Sequence, residues 1–509
     1  MAEPYCHNLG QAFAAVAAHH AARPALRFAE GPDLSYAGLA ANAATLAGWL
    51  HAEGAGRGTL VALQNGKSAD GYAAMLACLA LGAAYAHLDP QNPPERLHRI
   101  LGVCAPVFVL CDAPAAPNVA AAAAALGLRV LTPADRPAGV QPVDFAASEV
   151  TGSEPAYVMF TSGSTGLPKG VAIAHASVLN FIGWSRTTFE LTPADVLAGA
   201  NPIYFDNSVF DTFSALLTGA CLAPLTTAEL ADARHVVRRV DAAGCTLWFS
   251  VPSLLIYLAA MKALHRDAFR GVTRIVFGGE GYPKTELAKL HAMLGARCQL
   301  VNVYGPTEGT CICSAYPIAI ADLADGLGLP PLGRIAPNFG WRLLDGDQPV
   351  PPGEVGELCL TGPQVALGYW RDPGRSAPVF VRDPLSPAVP QPMYRTGDLV
   401  REQDGKLWFV GRRDNQIKHM GYRIELEEIE AAINRLDYVI QAAVVYRRVR
   451  EGFGHIIAHV AAPGLDEARL RADLAAVLPA YMLPNRVVVA ADLPKNANGK
   501  VDRVLLRDG

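Results

Sequence analysis

Neither sign of charge dominates this chain. Lys and Arg total 43 against 47 Asp and Glu, a formal net charge of -4. With no basic excess to hold a polyanion, a nucleic-acid partner is not expected. Cysteine is sparse. Of ten residues none are spaced Cys-x-x-Cys, and Cys311-Ile312-Cys313 is the one close pair. That spacing offers neither a disulfide framework nor a zinc site, so the thiols are expected to be buried in a reducing, cytoplasmic compartment. No basic segment precedes an apolar stretch in MAEPYCHNLG, and no signal peptide is expected. The 47 Gly and 38 Pro follow no collagen-like period, and no internal repeat is visible. Residues 71–88 carry no fixed charge and reach the lower edge of a membrane-spanning length. They are mostly Ala, Gly and Leu and include His87. Alanine gains little by leaving water, so a buried helix followed by a short strand is expected, with no membrane span.

What is present is core-forming material. Hydrophobic residues make up 51% of 509 residues and charged residues 18%. This excludes a disordered chain, and at roughly 100–200 residues per domain it implies two or more units. Val107-Phe108-Val109-Leu110 and Tyr157-Val158-Met159-Phe160 read as short buried strands, and the alanine run 120–125 as a packing helix. Residues 274–277 read as a strand ending at Gly278-Gly279. A helix follows, with Pro283 at its start and Leu287, Leu290 and Leu294 on one face. This alternation predicts mostly parallel sheets with helices on their faces. Gly- and Pro-rich turns over 332–410 predict an antiparallel β region. The C-terminal end reads as its own α+β unit. Leu426, Ile429 and Ile433 mark one helix, and Leu470, Leu474, Val477 and Leu478 a second. Residues 439–446, 456–461 and 487–489 are strands.

The strand at 157–160 runs into Thr161-Ser162-Gly163-Ser164-Thr165-Gly166-Leu167-Pro168-Lys169-Gly170. Four hydroxyls, three glycines and a lysine suit a phosphate: glycine admits close approach, the hydroxyls and amides donate, and lysine supplies charge. The Walker A spacing is absent and Pro168 precedes the lysine. This loop resembles the phosphate signature of the adenylate-forming superfamily, which includes acyl-CoA synthetases, luciferases and the adenylation domains of nonribosomal peptide synthetases. The resemblance spans nearly the whole chain. Leu34-Ser35-Tyr36 and Leu81-Gly82-Ala83-Ala84-Tyr85 resemble its early motifs. Asn302-Val303-Tyr304-Gly305-Pro306-Thr307-Glu308, Tyr394-Arg395-Thr396-Gly397-Asp398 and Gly411-Arg412-Arg413-Asp414 with Gln416-Ile417-Lys418 follow in order. Leu478-Pro479-Ala480-Tyr481-Met482 and Gly499-Lys500-Val501-Asp502-Arg503 complete the set.

The resemblance implies an α/β fold with a large multi-subdomain body of parallel sheets, helices and a β region over residues 1–413. A small α+β lid would follow over 414–509. It implies ATP and Mg²⁺ as cofactors, with Thr161, Ser162, Gly163, Ser164, Thr165, Gly166, Lys169, Tyr304, Gly305, Thr307, Asp398 and Arg412 around the nucleotide. Glu308 suits Mg²⁺ by its hard oxygen donors. Asp398 can accept ribose hydroxyls, and Tyr304 offers a face to adenine. Taken singly, these residues would more often be a turn carboxylate, a turn cap and a buried aromatic. Lys500 is the implied catalytic lysine alongside Lys169 and Glu308, since charge builds on phosphoryl oxygens during transfer. Asp414 is the implied hinge. Gly421 is implied to clear a path for a phosphopantetheine arm.

Phe205-Asp206-Asn207-Ser208 resembles the motif whose aspartate binds a substrate α-ammonium. A carboxylate in an apolar pocket is costly unless it meets a cation, although a helix-capping Asp206 is the plainer alternative. Asn207, Phe210, Phe249, Val276, Gly278, Val303, Cys311 and Ile312 align as the remaining pocket. They suit a small or medium apolar side chain, with Gly278 leaving room. The chain is most similar to stand-alone amino-acid-activating ligases, including the D-alanine–carrier protein ligase group. It stops at Gly509 with no carrier-like segment, so a separate carrier protein with phosphopantetheine is the expected partner. An acyl- or aryl-CoA synthetase and a catalytically silent nucleotide-binding regulator are the rivals.

Overall fold

The computed structural model describes residues 6–163, 167–450, 453–462, 464–495 and 501–508. Residues 71–88 fold as helix Ala69–Leu81 and strand Ala84–His87. Ser68 caps the helix by accepting the Gly71 amide, and Gly82 ends it in a left-handed conformation (φ 73°) that costs glycine nothing. Every residue from Gly71 to Ala80 is buried, in a core shared with helix Tyr36–Ala52. Among the described residues no helix is long and apolar enough to cross a membrane. Nine of the ten cysteines are buried free thiols.

Two α/β sheets carry the body. A seven-stranded sheet runs parallel from Pro155–Thr161 through Ala84–His87, Leu60–Gln64 and Val109–Cys111 to Val130–Leu131. Its hairpin partner Lys169–Ala174 is antiparallel to Pro155–Thr161, with Lys169 opposite Thr161. A nine-stranded sheet has a parallel centre, including Leu247–Ser250, Arg274–Gly278 and Gln299–Tyr304, and antiparallel edges. In the register Phe249 pairs with Val276, and Gly278 with Val303. These three strands therefore end side by side at the carboxyl edge, the usual place for a ligand crevice in such sheets.

The antiparallel β region expected over 332–410 is present as a six-stranded sheet, but two short strands of that span lie outside it. Arg334–Ile335 joins the nine-stranded sheet and Gly368–Tyr369 the seven-stranded one. Each finds an open strand edge there, so this region ties the two α/β sheets together. The strand expected at 107–110 starts at Val109.

In the C-terminal unit the hairpin Gln416–His419 and Tyr422–Glu425 turns through Met420 (φ 52°) and Gly421 (φ 82°). Helix Leu426–Asn434 follows, then a sheet of Gln441–Arg450, Phe453–Ala461 and Arg486–Ala490 with its own core. The second helix, Glu467–Ala475, stops short of Val477 and Leu478, because the residue before Pro479 is pushed away from helical ψ.

Candidate active site

Glu308 sits in the turn Thr307–Gly309 after strand Gln299–Tyr304, 0% exposed. One carboxylate oxygen accepts the Tyr369 hydroxyl at 2.9 Å, and the other accepts the Arg423 guanidinium at 2.7 Å. The Lys169 ammonium lies 3.7 Å away and an equal 3.7 Å from Glu425. Burial alone would raise the Glu308 pKa, but Arg423 and Lys169 outweigh it and hold it at about 2. The Lys169 pKa is pushed down by burial, with Arg423 as the next cause. Lys169 reaches this point because the hairpin pairs it with Thr161. Its Nζ lies 5.1 Å from the Tyr369 ring centre.

The phosphate-type loop meets the C-terminal unit. Ser162 Oγ donates to the Arg423 carbonyl at 2.7 Å and accepts the Glu425 amide at 3.1 Å. The Gly163 amide donates to a Glu428 oxygen at 3.3 Å. A Cβ at Gly163 would lie 2.1 Å from the Leu167 carbonyl, so only glycine allows this close turn. The Thr161 hydroxyl is shielded, with no partner among the described residues. Ser164, Thr165, Gly166 and Lys500 lie outside the described residues.

At the ribose-type end, Asp398 accepts the Tyr304 hydroxyl at 2.5 Å and Arg412 at 2.6 Å. Arg412 also forks onto Asp414 at 2.6 and 2.7 Å. Burial would raise the Asp414 pKa, but this hydrogen-bonded guanidinium lowers it overall. The Tyr304 ring, expected to offer a face to adenine, is met here by a cation. Lys418 Nζ stands over the ring, 5.6 Å from its centre. Gly305 is required where the chain doubles back, since a Cβ there would lie 2.2 Å from the Cys311 carbonyl. Thr307 is buried beside Glu308.

Asp206 holds the N-cap position of helix Asn207–Leu216 but accepts no capping hydrogen bond. The capping alternative is therefore not what its side chain does. Burial raises its pKa, partly offset by a Thr307 hydrogen bond and by Arg423. Beyond it, Phe210 and Phe249 meet edge to face at 5.1 Å. Burial pushes the Cys311 thiol pKa up. Phe210, Phe249, Val276, Val303, Cys311 and Ile312 share one buried core. Asn207 begins the helix, its amide group near Gly279. Gly278 does not leave open room: a Cβ there would lie 2.4 Å from the Val303 carbonyl and 2.6 Å from its methyl. Val303 already fills that space. Thr310 and Cys311 both adopt positive φ, 57° and 73°, a strain for side chains with Cβ that aims this turn at the pocket.

Gly421, expected on the pantetheine path, donates its amide to Glu280 at 2.8 Å and abuts Val251. Glu280 also accepts the Ser253 amide at 2.6 Å. Among the described residues no group of three or more His, Cys, Asp or Glu side chains is arranged to hold a metal. Glu308 is chemically suited to Mg²⁺, but here Arg423 and Lys169 already neutralise it. It can face a divalent ion only with Arg423 withdrawn. Motif reading quotes Lys418 without a role and singles out none of Tyr369, Arg423 and Glu425. Arg423 and Glu425 alternate along one strand and so share a face. Two charges at that spacing beside an apolar Ile424 were the available signal.

The chain matches the model of the AMP-binding enzyme over residues 13–370 and that of the AMP-binding enzyme C-terminal domain over 428–500. It is 34% identical to an L-proline–[L-prolyl-carrier protein] ligase of Pseudomonas fluorescens, covering 94% of each chain. It is 33% identical to a ligase of the same name from Streptomyces coelicolor, covering 95% of this chain and 93% of that one. It also matches tyrocidine synthase 3 of Brevibacillus parabrevis at 34% identity, over 93% of this chain but only 7% of that much longer protein. Among solved structures, an NRPS protein containing adenylation and PCP domains superposes with a TM-score of 0.84 at 25% identity. That match covers 99% of this chain and 84% of that one.

Proposed function

Because the chain belongs to the AMP-binding enzyme family, we propose that it activates an amino acid with ATP and loads it onto the phosphopantetheine thiol of a separate carrier protein. The observation that carries this reading is Asp206. It is an uncapped, part-buried carboxylate between an apolar pocket and the Glu308–Lys169–Arg423 cluster. An α-ammonium is the cation that would offset its burial. The substrate carboxylate would then point toward the phosphate loop.

In the first step a substrate carboxylate oxygen attacks the α-phosphorus. The bond to the β-phosphate oxygen breaks, and pyrophosphate leaves with the electron pair. Lys500, by its motif, and Lys169 supply positive charge to the phosphoryl oxygens. Asp398 and Arg412 hold the ribose, and Tyr304 lines the adenine once Lys418 has moved off it. Glu308, with Arg423 withdrawn, would hold Mg²⁺, which would supply positive charge to the ATP phosphates. In the second step the carrier thiol sulfur attacks the acyl carbon, the C–O bond to AMP breaks, and the thiol proton is lost. Residues 414–509 turn about Asp414 between the steps, and Gly421 borders the thiol's path. The free buried thiols suit work in the reducing cytoplasm.

The test is amino-acid-dependent pyrophosphate exchange across L-, D- and β-amino acids, with aryl and fatty acids as controls. L-Proline, named for two relatives, is tried first. Exchange with aryl or fatty acids and none with amino acids would replace this reading with a CoA synthetase. ATP binding without any exchange would favour a silent regulator.

A further inference from the structure

Arg96 is the third residue of helix Pro94–Cys104 and is 6% exposed. A cation there faces the positive end of the helix dipole, the unfavourable end. Its Nε has no hydrogen-bond partner among the described residues. What compensates it is Glu428, 332 residues away on helix Leu426–Asn434, whose carboxylate meets Arg96 Nη1. Both side chains are buried, 7% and 3% exposed, so the pair exists only because the C-terminal unit is seated on the body. The other Glu428 oxygen accepts the Gly163 amide. A carboxylate of the C-terminal unit thus occupies a donor of the loop whose composition suits phosphate.

We propose that Arg96 and Glu428 are positioning residues for the thioester-forming step. They latch residues 414–509 onto the body, and Glu428 does so on the same loop amide that a phosphate of ATP or pyrophosphate would take. One amide cannot serve both anions, so the latch closes when pyrophosphate has left. This rests on the two-step reading above. Neighbouring contacts act in the same orientation: Glu425 and Gly421 donate their amides to Ser162 and Glu280.

Hydrogen–deuterium exchange on the full chain tests the latch without relying on turnover. In Arg96→Ala and in Glu428→Gln, amides of residues 416–430 should exchange about tenfold faster, as expected for truncating one partner of a buried charge pair. Strand Pro155–Thr161, the fold control, should be unchanged. Inorganic pyrophosphate added to the wild type should loosen the same segment. Unchanged protection of 416–430 in both variants, or no response to pyrophosphate, would overturn the proposal. A kinetic split sharpens it. With an amino acid that supports exchange and pantetheine as acceptor, both variants should lose about tenfold in thioester formation and keep exchange within about twofold. Equal losses in the two steps would mean a merely structural role. Absence of exchange in the wild type would defeat the functional reading, while the hydrogen-exchange result would still decide the latch.

Discussion

At the Glu308 end of the site, body groups pair with groups from the C-terminal unit: Glu308 with Arg423, Lys169 with Glu425, Ser162 with Arg423 and Glu425, and Tyr304 with Lys418. At the Phe249 end the apolar core belongs to the body alone. Phe210, Phe249, Val276, Val303, Cys311 and Ile312 lie in a core cluster that includes no described residue beyond Leu407. The physics differs accordingly. Apolar packing is non-directional and made once, by strand register. Charged contacts can be exchanged, because a phosphate, a carboxylate or a guanidinium can satisfy the same partner. The pocket is therefore a fixed part of the body, and the nucleotide end is one whose partners change.

The sharpest break of this comparison is Lys500→Ala, which should lower amino-acid-dependent pyrophosphate exchange at least about a thousandfold while the circular-dichroism spectrum stays that of wild type. Full exchange in that variant would sink the assignment. Next is Glu308→Gln. The folded pKa of about 2 lies below the ordinary 4.5. A lowered carboxylate stabilises fully above its ordinary value and loses that contribution as pH falls toward the folded value. At 1.36 kcal/mol per unit this is about 3 kcal/mol. Denaturant unfolding should show a gap between wild type and variant that is widest above about pH 5 and closes toward pH 2. A gap independent of pH would show that the carboxylate charge is not what matters. Asp206→Asn should reduce exchange with the preferred amino acid about a hundredfold yet spare its des-amino analogue, because only the ammonium loses its partner. Equal loss with both acids would remove Asp206 from ammonium recognition. The smallest effect is at the fixed end. Gly278→Ala should cost about 1–3 kcal/mol of stability by overpacking against Val303, with the substrate profile unchanged. A shift toward smaller acids at unchanged melting temperature would restore the view that Gly278 opens the pocket.

Much of the body was legible because its signals are local. The charge-free stretch 71–88 became a helix and a strand through its own caps, and the hairpin of 155–174 followed from apolar runs flanking a glycine-rich turn. Asp206, Lys169, Glu308 and Asp398 could be named from their motifs. What could not be read was their occupancy. Tyr304 offers an aromatic face in the sequence and meets the Lys418 ammonium over its ring in the fold. Gly278 looks like empty space and is filled by Val303 from the next strand. In both cases the deciding neighbour comes from another element, and no periodicity records which elements meet.

The sequence by itself determined the elements, the order of the motifs and the types of chemistry available, because hydrophobic period, turn residues and short motifs act over a few neighbouring positions. Only the tertiary structure decided which charges neutralise one another. Arg96 finds Glu428 across 332 positions, and Arg423 finds Glu308 across 115. A buried charge is tolerated only where an opposite one arrives, and that meeting is fixed by how the C-terminal unit sits on the body.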